Sequence, residues 1–180
     1  MKAEDIKPVL FKIQPSPKYK GVGVFAVRDI RKGTIICDVE KIDEEIFISR
    51  EEFEKIDLVT QQVMTDFCAQ DKDGYYCQID LNYLPVPIHM NHHCDGNVGC
   101  DEQSSFIAIK DIKEGEELCF DYALVISNPD YTLECGCGAE NCRKVITGND
   151  WMDAEFRKRN YRYMSELQRG LVHEIFGDDF

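Results

Sequence analysis

The sequence predicts a β-rich α+β fold of many short strands with one internal and one terminal helix. Three observations carry this. Short apolar runs separated by glycine, proline and aspartate turns fill most of the 180 residues. Only two stretches, one internal and one at the C-terminus, show helical periodicity. Helices and strands do not alternate, which excludes a doubly wound parallel sheet.

In order along the chain, residues 8–14 read as a strand that Pro15-Ser16-Pro17 interrupts. Lys20 to Val27 reads as a glycine turn, Gly21-Val22-Gly23, entering a second strand. Ile30-Arg31-Lys32-Gly33 is a turn, and Thr34 to Cys37 begins another strand. A helix is expected over about 49–69. Ser49 is positioned to cap it, with Glu52 completing a capping box. Phe53, Ile56, Val59, Val63 and Phe67 form its apolar stripe. Short strands and turns return from Asp71 to Tyr122, among them Phe106 to Ile109. After Gly148 one helix is expected from Asn149 or Asp150 to about Phe176. Phe156, Tyr163, Met164, Leu167, Leu171 and Ile175 give its apolar face, and Arg157, Lys158, Arg159, Arg162 and Arg169 supply a concentration of positive charge. That helix is read as a brace on the domain.

Composition narrows the class. Hydrophobic residues make up 43% of the chain, enough for a packed core and too many for a disordered one. No apolar run is long enough for a membrane span, and the N-terminus lacks the apolar segment of a signal peptide. The expectation is an intracellular protein: nuclear if eukaryotic, cytoplasmic or delivered into a host if bacterial. Net charge is −13, from 21 basic and 34 acidic residues. That disfavours direct nucleic-acid binding and favours a basic protein partner. The run Glu40, Asp43, Glu44 and Glu45 is one place such a partner could be attracted. Nine cysteines in a reducing compartment point to metal binding by a subset rather than to disulfides. Cys37, Cys68, Cys77, Cys100 and Cys119 lie in or beside apolar segments and read as buried small residues.

Cys135-x-Cys137-x4-Cys142, with Gly136 and Gly138 permitting a tight knuckle, provides three thiolates for one Zn²⁺. A closed structural zinc site needs a fourth ligand. Cys94, in the polar loop Met90 to Asn97, is the candidate, with His92 or His93 as alternatives. Two further motifs accompany this cluster: Asn91-His92-His93-Cys94 and Gly115-Glu116-Glu117-Leu118-Cys119-Phe120-Asp121-Tyr122.

In order and spacing these motifs resemble the signature of the SET-domain protein lysine methyltransferases, over roughly residues 10–146. The resemblance implies a SET fold of several small twisted sheets. In it the segment ending in Asp121-Tyr122 threads beside the Asn91-His92 loop to form a knot-like core, and a post-SET zinc knuckle and a C-terminal helix follow. The implied units are residues 8–126 (SET domain), 127–148 (zinc segment) and 149–180 (terminal helix). The implied reaction moves a methyl group from S-adenosylmethionine to a lysine ε-amine of a basic protein, such as a histone tail. Carried over residue by residue, Gly21, Val22, Gly23, Asn91, His92 and Tyr122 would contact the methyl donor, and Gly33 matches the turn that follows the first glycine motif. Cys94, Cys135, Cys137 and Cys142 would hold structural Zn²⁺. Tyr122 takes the catalytic tyrosine position. Phe120 takes the position that tunes methyl number, where Phe implies di- or trimethylation. Tyr75 and Tyr76 both fall where a second aromatic walls the lysine channel, and the local sequence does not choose between them; Tyr76 is carried as the candidate. The chain departs from the pattern twice. Gly96 stands where proline is usual, and Ile88-His89-Met90 replaces Arg-Phe-Ile, removing a cation. These departures keep a second expectation open, a SET-like binding or scaffold module with weak catalysis.

Overall fold

The structure, a computed structural model, describes residues 8–38 and 45–177. The expected acidic residues Glu40, Asp43 and Glu44 lie outside the described residues, and Glu45 opens a strand. The largest sheet is formed by β1 (Phe11–Pro15), β2 (Val22–Ala26), β3 (Ile35–Cys37) and four later strands. A second, three-stranded sheet places β4 (Glu45–Ser49) and β5 (Ala69–Gln70) on either side of β6 (Gly74–Gln78). Into the largest sheet also come β7 (Asn91–His92), β8 (Val98–Cys100), β9 (Phe106–Ala108) and β10 (Glu117–Phe120). A hairpin of β11 (Thr132–Glu134) and β12 (Val145–Thr147) follows.

Strand β10 organises the molecule. Its first half pairs antiparallel with β2, Leu118 opposite Val24. Its second half lies between two parallel neighbours: Phe120 is opposite His92 of β7 and also opposite Val98 of β8. The loop from Asn91 to Val98 therefore wraps around β10. The amides of His93 and Asn97 donate to the Phe120 and Cys119 carbonyls at 3.0 Å each. The Asn97 side chain closes the wrap, donating to the Glu117 carbonyl and accepting from the Cys119 amide, both at 2.9 Å. This is the expected threading. Val24, Met90, Val98, Ala108, Ile112 and Leu118 are buried around it and form the main core.

The loop approaches β10 more closely than a side chain at position 96 would allow. A Cβ on Gly96 would sit 2.8 Å from both the Cys119 carbonyl oxygen and the Phe120 Cα. The absent proline is thus accounted for by packing.

The internal helix is broken in two. Ser49 caps α1 (Arg50–Phe53), accepting from the Glu52 amide at 3.3 Å. The chain then turns, and Asp57 caps α2 (Leu58–Phe67), accepting from the amides of Val59 and Thr60. A second capping residue in mid-segment restarts the helix and shifts its buried face. Met64 is buried, whereas Val59, assigned to the stripe, is 75% exposed. The terminal helix is divided for the same reason. Asp153 caps α3 (Ala154–Asn160) and Ser165 caps α4 (Glu166–Phe176). Trp151, Phe156, Met164 and Val172 form a second core against Ala123 and Leu124, while Leu167 and Ile175 stay substantially exposed. No helix among the described residues is long and apolar enough to cross a membrane.

Candidate active site

A cavity of about 650 Å³ opens where the loop, β10 and the cysteine-rich segment meet. Asn91, His92 and Tyr122 line it from the core, Arg50 from α1, Gln70 and Tyr75 from the three-stranded sheet, and Tyr131, Cys135 and Gly136 from the segment after the core.

Hydrogen bonds fix the core residues. The Tyr122 hydroxyl donates to the Met90 carbonyl at 3.2 Å, and its amide donates to His92 Nδ1 at 3.2 Å. With Nδ1 accepting, Nε2 carries the proton and faces the Cys94 sulfur at 3.3 Å. His92 is buried, and that burial, with Arg143 and His93 nearby, pushes its pKa down to about 3, so the ring is neutral. Its backbone carbonyl accepts from the Tyr19 hydroxyl at 2.8 Å. Burial raises the Tyr122 phenol well above its ordinary value, with Tyr131 and Cys119 adding to the shift, so the hydroxyl keeps its proton. Burial, and then Asp66, pushes Tyr131 up to about 12.

Asn91 is held by a carboxylate. Its Nδ2 donates to Glu117 Oε1 at 2.7 Å and to the Val22 carbonyl at 3.0 Å. Glu117 Oε2 accepts from the Ser16 hydroxyl at 3.0 Å. The carboxylate occupies the space a side chain at position 23 would need: a Cβ on Gly23 would lie 2.1 Å from Glu117 Oε1. A side chain at position 23 would displace the Glu117 carboxylate from Asn91. Gly21, Val22 and Gly23 themselves are not among the residues lining the cavity.

Phe120 is buried behind Tyr122, ring centroids 4.9 Å apart, and also meets Phe106 at 5.2 Å. Of the paired tyrosines, Tyr75 lines the cavity and Tyr76 does not. The Tyr76 hydroxyl is turned away to Asp71 Oδ2 at 3.0 Å. The reason is strand alternation: neighbours on β6 face opposite sides, and Tyr75 stacks on Phe53 of α1, centroids 4.3 Å apart. Arg50 lies over the Tyr75 ring at 4.9 Å and donates to its hydroxyl at 3.2 Å. It is the cation in the cavity lining among the described residues, and the motifs gave no sign of it. Tyr131 was also missed; its only sequence signal is an aromatic residue between Tyr122 and the cysteine cluster.

Beside the cavity, the sulfurs of Cys94, Cys135, Cys137 and Cys142 lie within 4.8 Å of one another. Cys94 and Cys142 are 3.9 and 3.7 Å from the Cys135 sulfur. Tetrahedral zinc–thiolate bonds of about 2.3 Å place sulfurs about 3.8 Å apart, so the donor set and spacing fit Zn²⁺. His92, with Nδ1 already accepting from a backbone amide and Nε2 pointing at a sulfur, is not part of this cluster. The other five cysteines are buried or half-buried elsewhere, as their apolar surroundings predict.

Comparison with known proteins agrees with this architecture. The SET domain family model matches residues 21–123. The chain is 32% identical over 162 residues to the Drosophila melanogaster histone-lysine N-methyltransferase Su(var)3-9, covering 77% of this chain and 24% of that protein. It is 30% identical over 143 residues to the Drosophila melanogaster histone-lysine N-methyltransferase trr, covering 71% and 5%. It is 29% identical over 146 residues to the Caenorhabditis elegans histone-lysine N-methyltransferase mes-4, covering 68% and 15%. With more than half its length matched by the family model, the chain belongs to the SET-domain family. It spans less than a quarter of the length of each of these three relatives.

Proposed function

We propose that the chain is a protein-lysine N-methyltransferase that uses S-adenosylmethionine and acts on a basic protein segment such as a histone tail. The observation that carries this reading is the convergence of Asn91, His92, Tyr122, Tyr75 and Tyr131 on one cavity. A lysine ε-amine has a free pKa of about 10.4 and must lose a proton to act as a nucleophile. The aromatic part of the lining, Tyr19, Tyr75, Tyr122 and Tyr131, and the Arg50 cation favour the neutral amine. The Tyr122 hydroxyl, protonated and anchored on the Met90 carbonyl, is suited to orient it. S-adenosylmethionine, when bound, supplies the methyl group on its sulfonium sulfur. Asn91 would help to hold the donor, and the Tyr122 hydroxyl would keep the amine turned toward its methyl group. Alignment is the main contribution required of the protein. Asn91, held by Glu117 and the Val22 carbonyl, is a residue for the donor, and Gly21, Val22 and Gly23, outside the cavity lining but joined to Asn91 through that carbonyl, are carried as further donor contacts.

We assign di- or trimethylation to Phe120, which offers no hydroxyl beside Tyr122. Tyr75 is the channel aromatic on this reading. Cys94, Cys135, Cys137 and Cys142 hold a structural Zn²⁺ that ties the segment after the core to the Asn91-His92 loop. In a eukaryotic cell a histone substrate would place the protein in the nucleus.

The experiment is direct. The protein is incubated with methyl-labelled S-adenosylmethionine and a panel of histones and cell lysate, and labelled lysines are mapped by mass spectrometry. Label on lysine carrying two or three methyl groups is expected. Donor binding without any transfer would instead support the scaffold reading.

A further inference from the structure

The C-terminal segment concentrates five cations that methyl transfer does not use. The structure divides them. Arg157 is buried, with its guanidinium 3.7 Å over the Phe176 ring and a hydrogen bond donated to the Met152 carbonyl. Arg169 also turns inward and donates to the carbonyls of Asp101, Glu102 and Met164. Lys158, Arg159 and Arg162 remain exposed. Arg159 and Arg162 meet Lys32 and Lys110, which arrive from turns of the core, around a cleft of about 290 Å³. The far side of the Asn91–Val98 loop and of Asp121 forms its floor, so it is distinct from the active-site cavity.

Two carboxylates line the cleft, and both are engaged. Arg143 lies 2.6 Å from Asp121, and Lys110 lies 2.7 Å from Asp95. A third nearby carboxylate, Asp111, accepts from the Lys32 backbone amide at 2.8 Å. Lys32, Arg159 and Arg162 form no ion pair with any described residue. Arg159 uses only its Nε, donating to the Glu155 carbonyl in its own helix. Arg162 rests on the Tyr163 ring at 4.6 Å, which holds its planar donor edge in place. Unpaired cations gathered in one concavity repel one another, and the chain as a whole, at net −13, offered ample acidic residues to pair them.

We propose that this cleft binds a compact phosphate monoester. Such a group carries close to two negative charges and three acceptor oxygens, matching two arginine forks and a lysine. The confined size of the cleft and the net acidic charge of the chain favour a compact anion over an extended polyanion. A phosphorylated side chain and a nucleoside monophosphate share this chemistry.

Calorimetric titration of the full chain tests it, with inorganic phosphate, O-phosphoserine and adenosine monophosphate as separate arms. The comparison proteins are the Arg159→Ala/Arg162→Ala double variant and Lys12→Ala, an exposed control on β1. Saturable phosphate binding is expected, weakened about tenfold or more in the double variant and unchanged in Lys12→Ala. Whichever ester binds more tightly identifies the source. Binding that is absent, or equal in all three proteins, would overturn the proposal, as would tighter binding of duplex DNA than of every compact phosphate. None of these readouts depends on methyl transfer.

Discussion

Arg143 Nη2 lies 2.6 Å from Asp121 Oδ1, and the same side chain places Nε 3.0 Å from Asp150 Oδ2. Arg143 follows Cys142, Asp121 precedes Tyr122, and Asp150 begins the terminal segment. One guanidinium therefore joins the cysteine cluster, the end of β10 and the C-terminal helical segment. Asp121 is only 6% exposed, so it depends on this partner.

Arg143→Met should destabilise the fold by about 2–4 kcal/mol, because it leaves a buried carboxylate uncompensated. Asp121→Asn in the same background should recover part of that loss. Chemical denaturation of the three proteins measures both effects, and an unchanged midpoint in Arg143→Met would refute the coupling.

The four clustered thiols should carry one zinc ion per chain by native mass spectrometry. Cys137→Ser should lose the metal and lower thermal stability, since folding and metal binding are linked at such sites. Cys37→Ser, outside the cluster, should retain both. Equal zinc content in the two variants would remove the assignment.

Tyr122→Phe removes the hydroxyl that donates to Met90. Methyl transfer should fall by about 100-fold or more through lost alignment. Folding stability should change by only about 1 kcal/mol, the net value of one hydrogen bond. Full activity in this variant would exclude Tyr122 from the role given to it.

Phe120→Tyr adds a hydroxyl beside Tyr122, whose ring centroid is 4.9 Å away. The product distribution should move toward lower methyl numbers, read by intact-mass analysis of the methylated peptide. An unaltered distribution would mean that Phe120 does not limit the space around the amine.

Gly96→Ala restores a Cβ at the position where the family usually has proline. With backbone atoms 2.8 Å away, the loop or β10 must shift, at a cost of about 1–3 kcal/mol. A denaturation midpoint equal to the parent's would show that the loop is looser than this packing implies.

Motif spacing made much of the site legible. The glycine turn, the Asn91–Cys94 loop, the segment ending at Tyr122 and the three tail cysteines each act through residues within a few positions of one another, which spacing records. The helix boundaries were harder. Asp57, Asp153 and Ser165 each caps a new helix within a stretch of continuous periodicity. Periodicity alone does not register such restarts, because the apolar pattern runs on across the turn.

The sequence by itself determined the family, the β-rich class and the candidate residues Asn91, His92, Tyr122 and the tail cysteines, because these depend on residue type and local order. Only the tertiary structure decided that Tyr75 faces the cavity and Tyr76 turns to Asp71. It alone set Glu117 beneath Gly23 and gathered Lys32 and Lys110 with Arg159 and Arg162 around one cleft, and it brought Cys94, already the candidate fourth ligand, beside three thiols some 40 residues away. These relationships join residues distant in the chain. They follow from how the loop wraps β10 and from which face of each strand is buried, and local spacing carries neither.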